Sequence, residues 1–223
     1  MSLQEPFLSS QSDMQATVFV VDDDWADRKS LKLLLDSIDV PCRGFPSTSA
    51  FLKDFEPPTH GCLLADVRMP EMSGLELLTE LRQRDVRLPV IIMTAFADVD
   101  TAVEAFRNGA FDFVEKPFDE QQLSTLVHSA LCRDREQWQR KSRAHRIGER
   151  LSRLTPRERQ VMTLVVKGRL NKQIAGELNL SIRTVEQYRG QIMAKMNADN
   201  LANLVSMTFA SRQAGQFISA DGM

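Results

Sequence analysis

The chain has 223 residues, 43% of them hydrophobic, and a formal net charge of −2 at pH 7, enough for one large or two small cores. No apolar run approaches the roughly 20 residues of a membrane span, and the opening MSLQEPFLSSQSDMQ lacks the basic start and apolar centre of a signal peptide. The cysteines Cys42, Cys62 and Cys132 and the histidines His60, His128 and His145 are scattered, without CxxC or ligand spacing; neither a disulfide framework nor a zinc site is supported, and a reducing cytoplasm is the natural inference.

Residues 1–16 are expected to be a disordered tail. From residue 17, strand-like runs alternate with helical patterns: TVFVV, then WADRKSLKLLLDSI; VPCRGF, then STSAFLKDF; GCLLAD, then SGLELLTELRQR; PVIIMT, then DVDTAVEAFRNG; AFDFVE, then DEQQLSTLVHSALCRDRE. Five strands, each followed by a helix, predict an α/β domain over residues 17–132 with a parallel sheet covered on both faces. Ser73 is placed to cap the third helix and Gly109 to end the fourth.

After about residue 131 the pattern becomes RDREQWQRKSRAHRIGER, charged and free of proline. It reads as a helical linker over 133–150 that extends the preceding helix and frays. Residues 151–212 show no strand pattern. Thr155-Pro156-Arg157-Glu158 makes a capping box, and further helices are expected at about 171–178, 182–196 and 199–211, with a tail at 213–223. Charge divides the same way. Residues 17–132 hold 20 Asp and Glu against 11 Lys and Arg, a net −9, and residues 133–223 hold 8 against 17, a net +9. The basic half is a candidate for a polyanion partner, although a charged face can be merely solvated.

Ligands of an open parallel sheet collect at the carboxyl ends of its strands. Those ends carry Asp22, Asp23 and Asp24 after strand 1, Asp66 after strand 3, Thr94 after strand 4 and Lys116 after strand 5. Gathered carboxylates repel unless some protonate or a cation joins them, and hard oxygen donors suit Mg²⁺. A screened carboxylate such as Asp66 can attack a phosphoryl group, with Lys116 and Thr94 placed to pair with its oxygens. Any one of these residues could instead be an ordinary turn residue or helix cap.

VVDDD at 20–24, LLADVRMPEMSG at 63–74, IIMTA at 91–95 and DFVEKPF at 112–118 resemble the receiver domain of two-component response regulators. The resemblance implies a doubly wound sheet of order 2-1-3-4-5 and a phosphoacceptor, Asp66, loaded by a histidine kinase. It implies Mg²⁺ held by Asp22, Asp23, Asp66 and the backbone carbonyl of Arg68, with Thr94 and Lys116 sensing the phosphoryl group. Phe113 matches the aromatic switch residue, and the Lys116-Pro117 bond would be cis. Asp24 reads as a helix cap. Such a domain accepts and slowly loses a phosphoryl group but is no turnover enzyme. A phosphohydrolase of the haloacid dehalogenase type shares the aspartyl phosphate, but its DxDx[TV] motif is broken by Ala26 and is absent after Asp66.

In the basic half, LTPRE, GRLNKQIA, LSIRTV and AKM occur in order and resemble the LuxR-type helix-turn-helix domain of NarL/FixJ-like response regulators. The second helix of such a unit enters the major groove while basic and polar residues hold phosphates. By position, Glu186, Gln187 and Gly190 would face bases, and Asn171, Lys172, Arg183, Thr184 and Arg189 would contact phosphates. Many relatives have Lys in place of Glu186 and His in place of Tyr188, so the base sequence read does not transfer. Ile174, Leu178, Val185, Ile192 and Met196 read as core. Leu201, Leu204, Val205 and Phe209 match the family's dimerisation helix, a stripe that domain packing would also use. The implied partners are double-stranded DNA, a sensor kinase, RNA polymerase and, when phosphorylated, a second copy of the chain. Alternatives are an orphan regulator gated without phosphorylation and, for the basic half, a helical protein-interaction module.

Overall fold

In the computed structural model, β3 (Gly61–Asp66) and β4 (Val90–Thr94) are buried at every residue, as unbroken apolar runs require inside a parallel sheet covered on both faces. The structure describes residues 16–57, 59–96 and 98–213. The expected tails lie outside these residues except at their inner edges. With β1 (Thr17–Val21), β2 (Cys42–Phe45) and β5 (Asp112–Glu115), the sheet runs β2-β1-β3-β4-β5, all parallel. This is the expected order.

Alternation within each strand divides the core in two. Phe19, Val21, Leu63, Ala65, Val90 and Ile92 face one layer with Phe51 of α2 (Thr48–Asp54), Leu78 and Leu81 of α3 (Gly74–Gln83) and Ala105 of α4 (Val99–Arg107). Val18, Val20, Cys62, Leu64, Ile91 and Met93 face the other, with Leu31 and Leu35 of α1 (Trp25–Ser37) and Leu123, Val127 and Ala130 of α5 (Glu120–Ser152). Three strands begin later than the sequence pattern suggests. Pro41 and Pro89 have no N–H for the ladder, although their carbonyls still accept from Val18 and Leu63. Ala110 donates back to Ala105 and so belongs to the turn closing α4, where Gly109 adopts φ +84°.

Local signals fix the helix starts. Asp24 accepts from the amides of Ala26 and Asp27 at the head of α1, and Ser73 and Glu76 form a reciprocal capping box on α3, each cap worth about 1 kcal/mol. Gly74 follows Ser73, and a Cβ there would meet the Asp66 carbonyl oxygen at 2.3 Å. Only glycine lets α3 begin this close to the end of β3.

The chain divides into two compact units at residues 138 and 139. In the second, α6 (Pro156–Val166), α7 (Asn171–Leu178), α8 (Ile182–Met196) and α9 (Leu201–Gln213) surround a core containing Val161, Ile174, Val185, Ile192 and Met196. Leu178 packs against its edge. Thr155 and Glu158 form the expected capping box, and Asn179 (φ 52°) and Asn197 (φ 49°) close α7 and α8 in the left-handed region that asparagine tolerates. The last helix starts at Leu201 rather than residue 199 because the Asn200 side chain caps it, accepting from the Asn203 amide at 2.8 Å. A second departure concerns α5, which does not fray: it is helical through Ser152, and Ile147 and Leu151 are buried in the core of the second unit.

Two glycines give opposite expectations in chemical denaturation. Gly74→Ala should destabilise the fold by about 1–3 kcal/mol through overpacking against β3. Gly176→Ala, inside α7 with nothing within 4 Å of the new methyl, should stabilise by about 0.5–1 kcal/mol.

Candidate functional site

The registers Val21↔Ala65, Asp66↔Met93 and Thr94↔Glu115 bring the carboxyl ends of β1, β3, β4 and β5 level. Asp22 follows β1, Asp66 ends β3, Thr94 ends β4 and Lys116 follows β5. The Lys116 amide donates to the Thr94 carbonyl at 2.6 Å, which sets where the lysine leaves the sheet, and the Lys116-Pro117 bond is cis.

Lys116 Nζ lies 2.6 Å from Asp22 Oδ2, 2.8 Å from Asp27 Oδ2 and 2.8 Å from Asp66 Oδ1. The Asp22 side chain is 1% exposed, that of Asp66 10% and that of Lys116 14%. Burial alone would lower the lysine, but its hydrogen bonds to Asp22, Asp27 and Asp66 win and hold the ammonium above the ordinary lysine range. Asp22 goes the other way from most paired acids. Its burial outweighs the bonds from Lys116 and the Asp24 amide, so its carboxyl is raised above the usual 3.8.

The second oxygen of each buried acid is also fixed. Asp22 Oδ1 accepts from the Asp24 amide at 2.8 Å, and Asp66 Oδ2 accepts from the Arg68 amide at 2.6 Å. Arg28 donates to the Asp22 carbonyl at 2.6 Å. Thr94, 2% exposed, keeps its hydroxyl within the following turn, 3.2 Å from both the carbonyl and the amide of Phe96. The Arg68 guanidinium lies over the Phe96 ring at 4.6 Å. Phe113 is half-buried against the first core layer.

The structure therefore unites Asp22, Asp66 and Lys116 and sets Thr94 on the adjoining strand end. Asp23 is exposed and makes no ion pair or hydrogen bond among the described residues. Asp27 is the partner that sequence reading missed. Its signal was an acid in the first turn of the helix after VVDDD, which reads equally as a response to the helix dipole. Among the described residues, no group of three or more His, Cys, Asp or Glu could hold a metal by itself. Mg²⁺ does not need such a cage, because it keeps waters and takes one or two carboxylates with phosphate oxygens. The carboxylates at this pocket fit that requirement.

In the second unit Ser181 caps α8, accepting from the Thr184 amide at 3.0 Å and sharing a 2.8 Å contact with its hydroxyl. Lys172, Arg183, Glu186, Gln187 and Gly190 are exposed, and Asn171, Thr184 and Arg189 are half-buried. Tyr188 packs against the core. Buried Glu158 anchors α8 through Lys195 at 2.7 Å; burial would raise its carboxyl, but the bonds from Lys195 and Thr155 hold it low. Along α9, Leu204 is buried, Val205 half-buried, and Leu201 and Phe209 exposed.

The family described as the response regulator receiver domain matches residues 18–128, and that of bacterial regulatory proteins of the luxR family matches residues 152–208. The chain is 46% identical over 190 residues to the transcriptional regulatory protein FixJ of Azorhizobium caulinodans, covering 85% of this chain and 90% of that one. It is 38% identical over 201 residues to the response regulator protein TodT of Pseudomonas putida, covering 90% and 88%. Among solved structures, the response regulator StyR aligns with a TM-score of 0.81 at 40% identity, covering 87% of this chain and 98% of that one. Full-length FixJ from B. japonicum aligns at 0.56 and 39%, covering 90% and 98%.

An acid raised by folding contributes stability fully below its unfolded value and loses it as pH rises through its folded value. Ionised Asp22 therefore costs stability at pH 7. Asp22→Asn is expected to raise the thermal midpoint there, with the gain shrinking as pH falls toward the ordinary carboxylate range. An asparagine variant that melts lower at pH 7 would contradict the direction given for this carboxyl.

Proposed function

The chain belongs to the response regulators that join a receiver domain to a LuxR-type DNA-binding domain, and on that premise we propose that Asp66 is the phosphoacceptor that controls its DNA binding. The observation that carries this reading is the Lys116 ammonium held between Asp22 and Asp66. A cation already in contact with the acceptor is placed to meet the charge that a phosphoryl group brings.

A partner histidine kinase presents a phosphohistidine. One oxygen of Asp66 attacks phosphorus, the P–N bond breaks as the P–O bond forms, and the imidazole leaves with its electron pair. Asp22, Asp23, Asp66 and the Arg68 carbonyl would hold Mg²⁺, which supplies charge neutralisation between the carboxylates and the incoming phosphoryl oxygens. Lys116 transfers its contact from the carboxylate to a phosphoryl oxygen. Thr94 exchanges its local bonds with Phe96 for the phosphoryl group, and Phe113 turns inward into the space so released. The acyl phosphate is later lost to water, slowly, so the domain works as a timer and not as a turnover enzyme.

The switch then changes the surface of α4 and β5, where Val99 and Phe106 stand 77% and 53% exposed. Burying such a face against a second copy is the expected use of an apolar patch, and dimerisation presents two reading helices to one DNA site. Glu186, Gln187 and Gly190 face base edges, and Asn171, Lys172, Arg183, Thr184 and Arg189 hold phosphates. The regulator acts in the cytoplasm, where it meets DNA and RNA polymerase. The orphan alternative, gated without phosphorylation, gives no role to the Asp22, Asp66 and Lys116 arrangement.

Incubation with a small phosphodonor and Mg²⁺ should add the mass of one phosphate to the intact chain and none to Asp66→Asn; equal labelling of both would remove Asp66 from its role. Lys172→Ala should weaken binding to every DNA sequence alike and reduce the slope of log affinity against log salt by about one. An unchanged slope would argue for a protein-interaction module.

A further inference from the structure

The apolar stripe by which α5 packs on the sheet runs Leu123, Val127, Ala130, and its next position is Asp134. A carboxylate on a buried stripe is costly unless satisfied, and here Asp134 is 9% exposed. Its Oδ2 accepts from the Gly61 amide at 3.0 Å and lies 3.0 Å from His60 Nδ1. One turn on, the Trp138 ring meets the His60 ring edge-on at 3.9 Å between centroids. The His60 carbonyl in turn accepts from the Thr17 amide at 3.0 Å. Gly61, at φ +145°, leaves no room for a Cβ, which would lie 1.7 Å from the Thr17 carbonyl oxygen. The far end of α5's first part is thus fastened to the start of β3, the strand that carries Asp66 at its other end.

The first compact unit ends at Trp138. From Gln139 to Arg146 no residue is buried; burial resumes at Ile147, in the core of the second unit. These two turns hold Lys141, Arg143 and Arg146, with Gly148 just beyond. Like charges three and four apart repel, and a helical glycine costs about 1 kcal/mol relative to alanine. Helices shorter than about 12–15 residues are marginal in water. This stretch is therefore helical because both of its ends are anchored.

We propose that Asp134, His60 and Trp138 form a latch that keeps α5 helical between the two units, and that opening it converts the connection into a loose chain. The latch stands on the structure alone; its consequence for DNA binding rests on the phosphorylation reading above.

Two measurements on the full chain separate them. Amide hydrogen exchange needs neither phosphate nor DNA. Protection over residues 139–146 should fall by about tenfold in Asp134→Ala and in Trp138→Ala, and be largely kept in His60→Asn, whose amide nitrogen can stand in for Nδ1. Unchanged protection in both alanine variants overturns the latch. In the second arm, Asp66 should take phosphate equally in all variants, while the ratio of DNA affinities with and without phosphodonor falls at least about threefold in the alanine variants only. Lost protection with an unchanged ratio overturns the latch's part in signalling. A wild-type chain whose affinity ignores phosphate would strike the functional reading and leave the exchange result standing.

Discussion

A single ammonium group sets the charge balance of the receiver pocket. Lys116 reaches Asp22, Asp27 and Asp66 at 2.6–2.8 Å, so the carboxylates delivered by β1, α1 and β3 can lie together without repelling the strands apart. The sheet is built to bring them there: apolar runs bury β3 and β4 throughout, registers keep the strand ends level, and Gly74 lets α3 start hard against Asp66. The cost remains visible in Asp22, whose carboxyl stays raised by burial even beside the lysine. A pocket held by one cation in this way is responsive by construction, since any new anion on Asp66 competes for it.

Much of the receiver was legible because its fold and its chemistry use the same signals. A buried parallel strand must be an apolar run, and a polar residue closing such a run must sit at the sheet's edge, so GCLLAD and PVIIMT located Asp66 and Thr94 as they located the strands. Asp24, Ser73 and Thr155 were readable as caps because side-chain oxygens at helix starts satisfy orphan amides. Asp27 was not readable: a first-turn acid has a sufficient local reason to exist, and only the three-dimensional path of Lys116 gives it another. His60 and Asp134 escaped for a related cause, being 74 residues apart. Asp134 does interrupt an apolar helical stripe, but within RDREQWQRK it looks like one charge among many.

The second unit shows how a small helical domain divides its surface. Ile174, Val185, Ile192 and Met196 occupy the core, while Lys172, Arg183, Glu186 and Gln187 remain outside. Helical spacing separates these sets cleanly, so core and surface follow from sequence while base preference does not. The α9 stripe was ambiguous for the opposite reason: Leu204 is taken by the core and Leu201 and Phe209 are left outside, and a 3.6-residue period cannot tell a packing face from a pairing face that borders it.

Charge added at Asp66 is proposed to be felt at the reading helix. The most direct test is the affinity of the full chain for a selected DNA fragment, measured at fixed salt with Mg²⁺, with and without phosphodonor, for wild type and Asp66→Asn. Phosphodonor is expected to shift the affinity of the wild type by about tenfold or more and to leave Asp66→Asn unmoved. Equal affinities for the wild type in both states, at full phosphorylation, would contradict this.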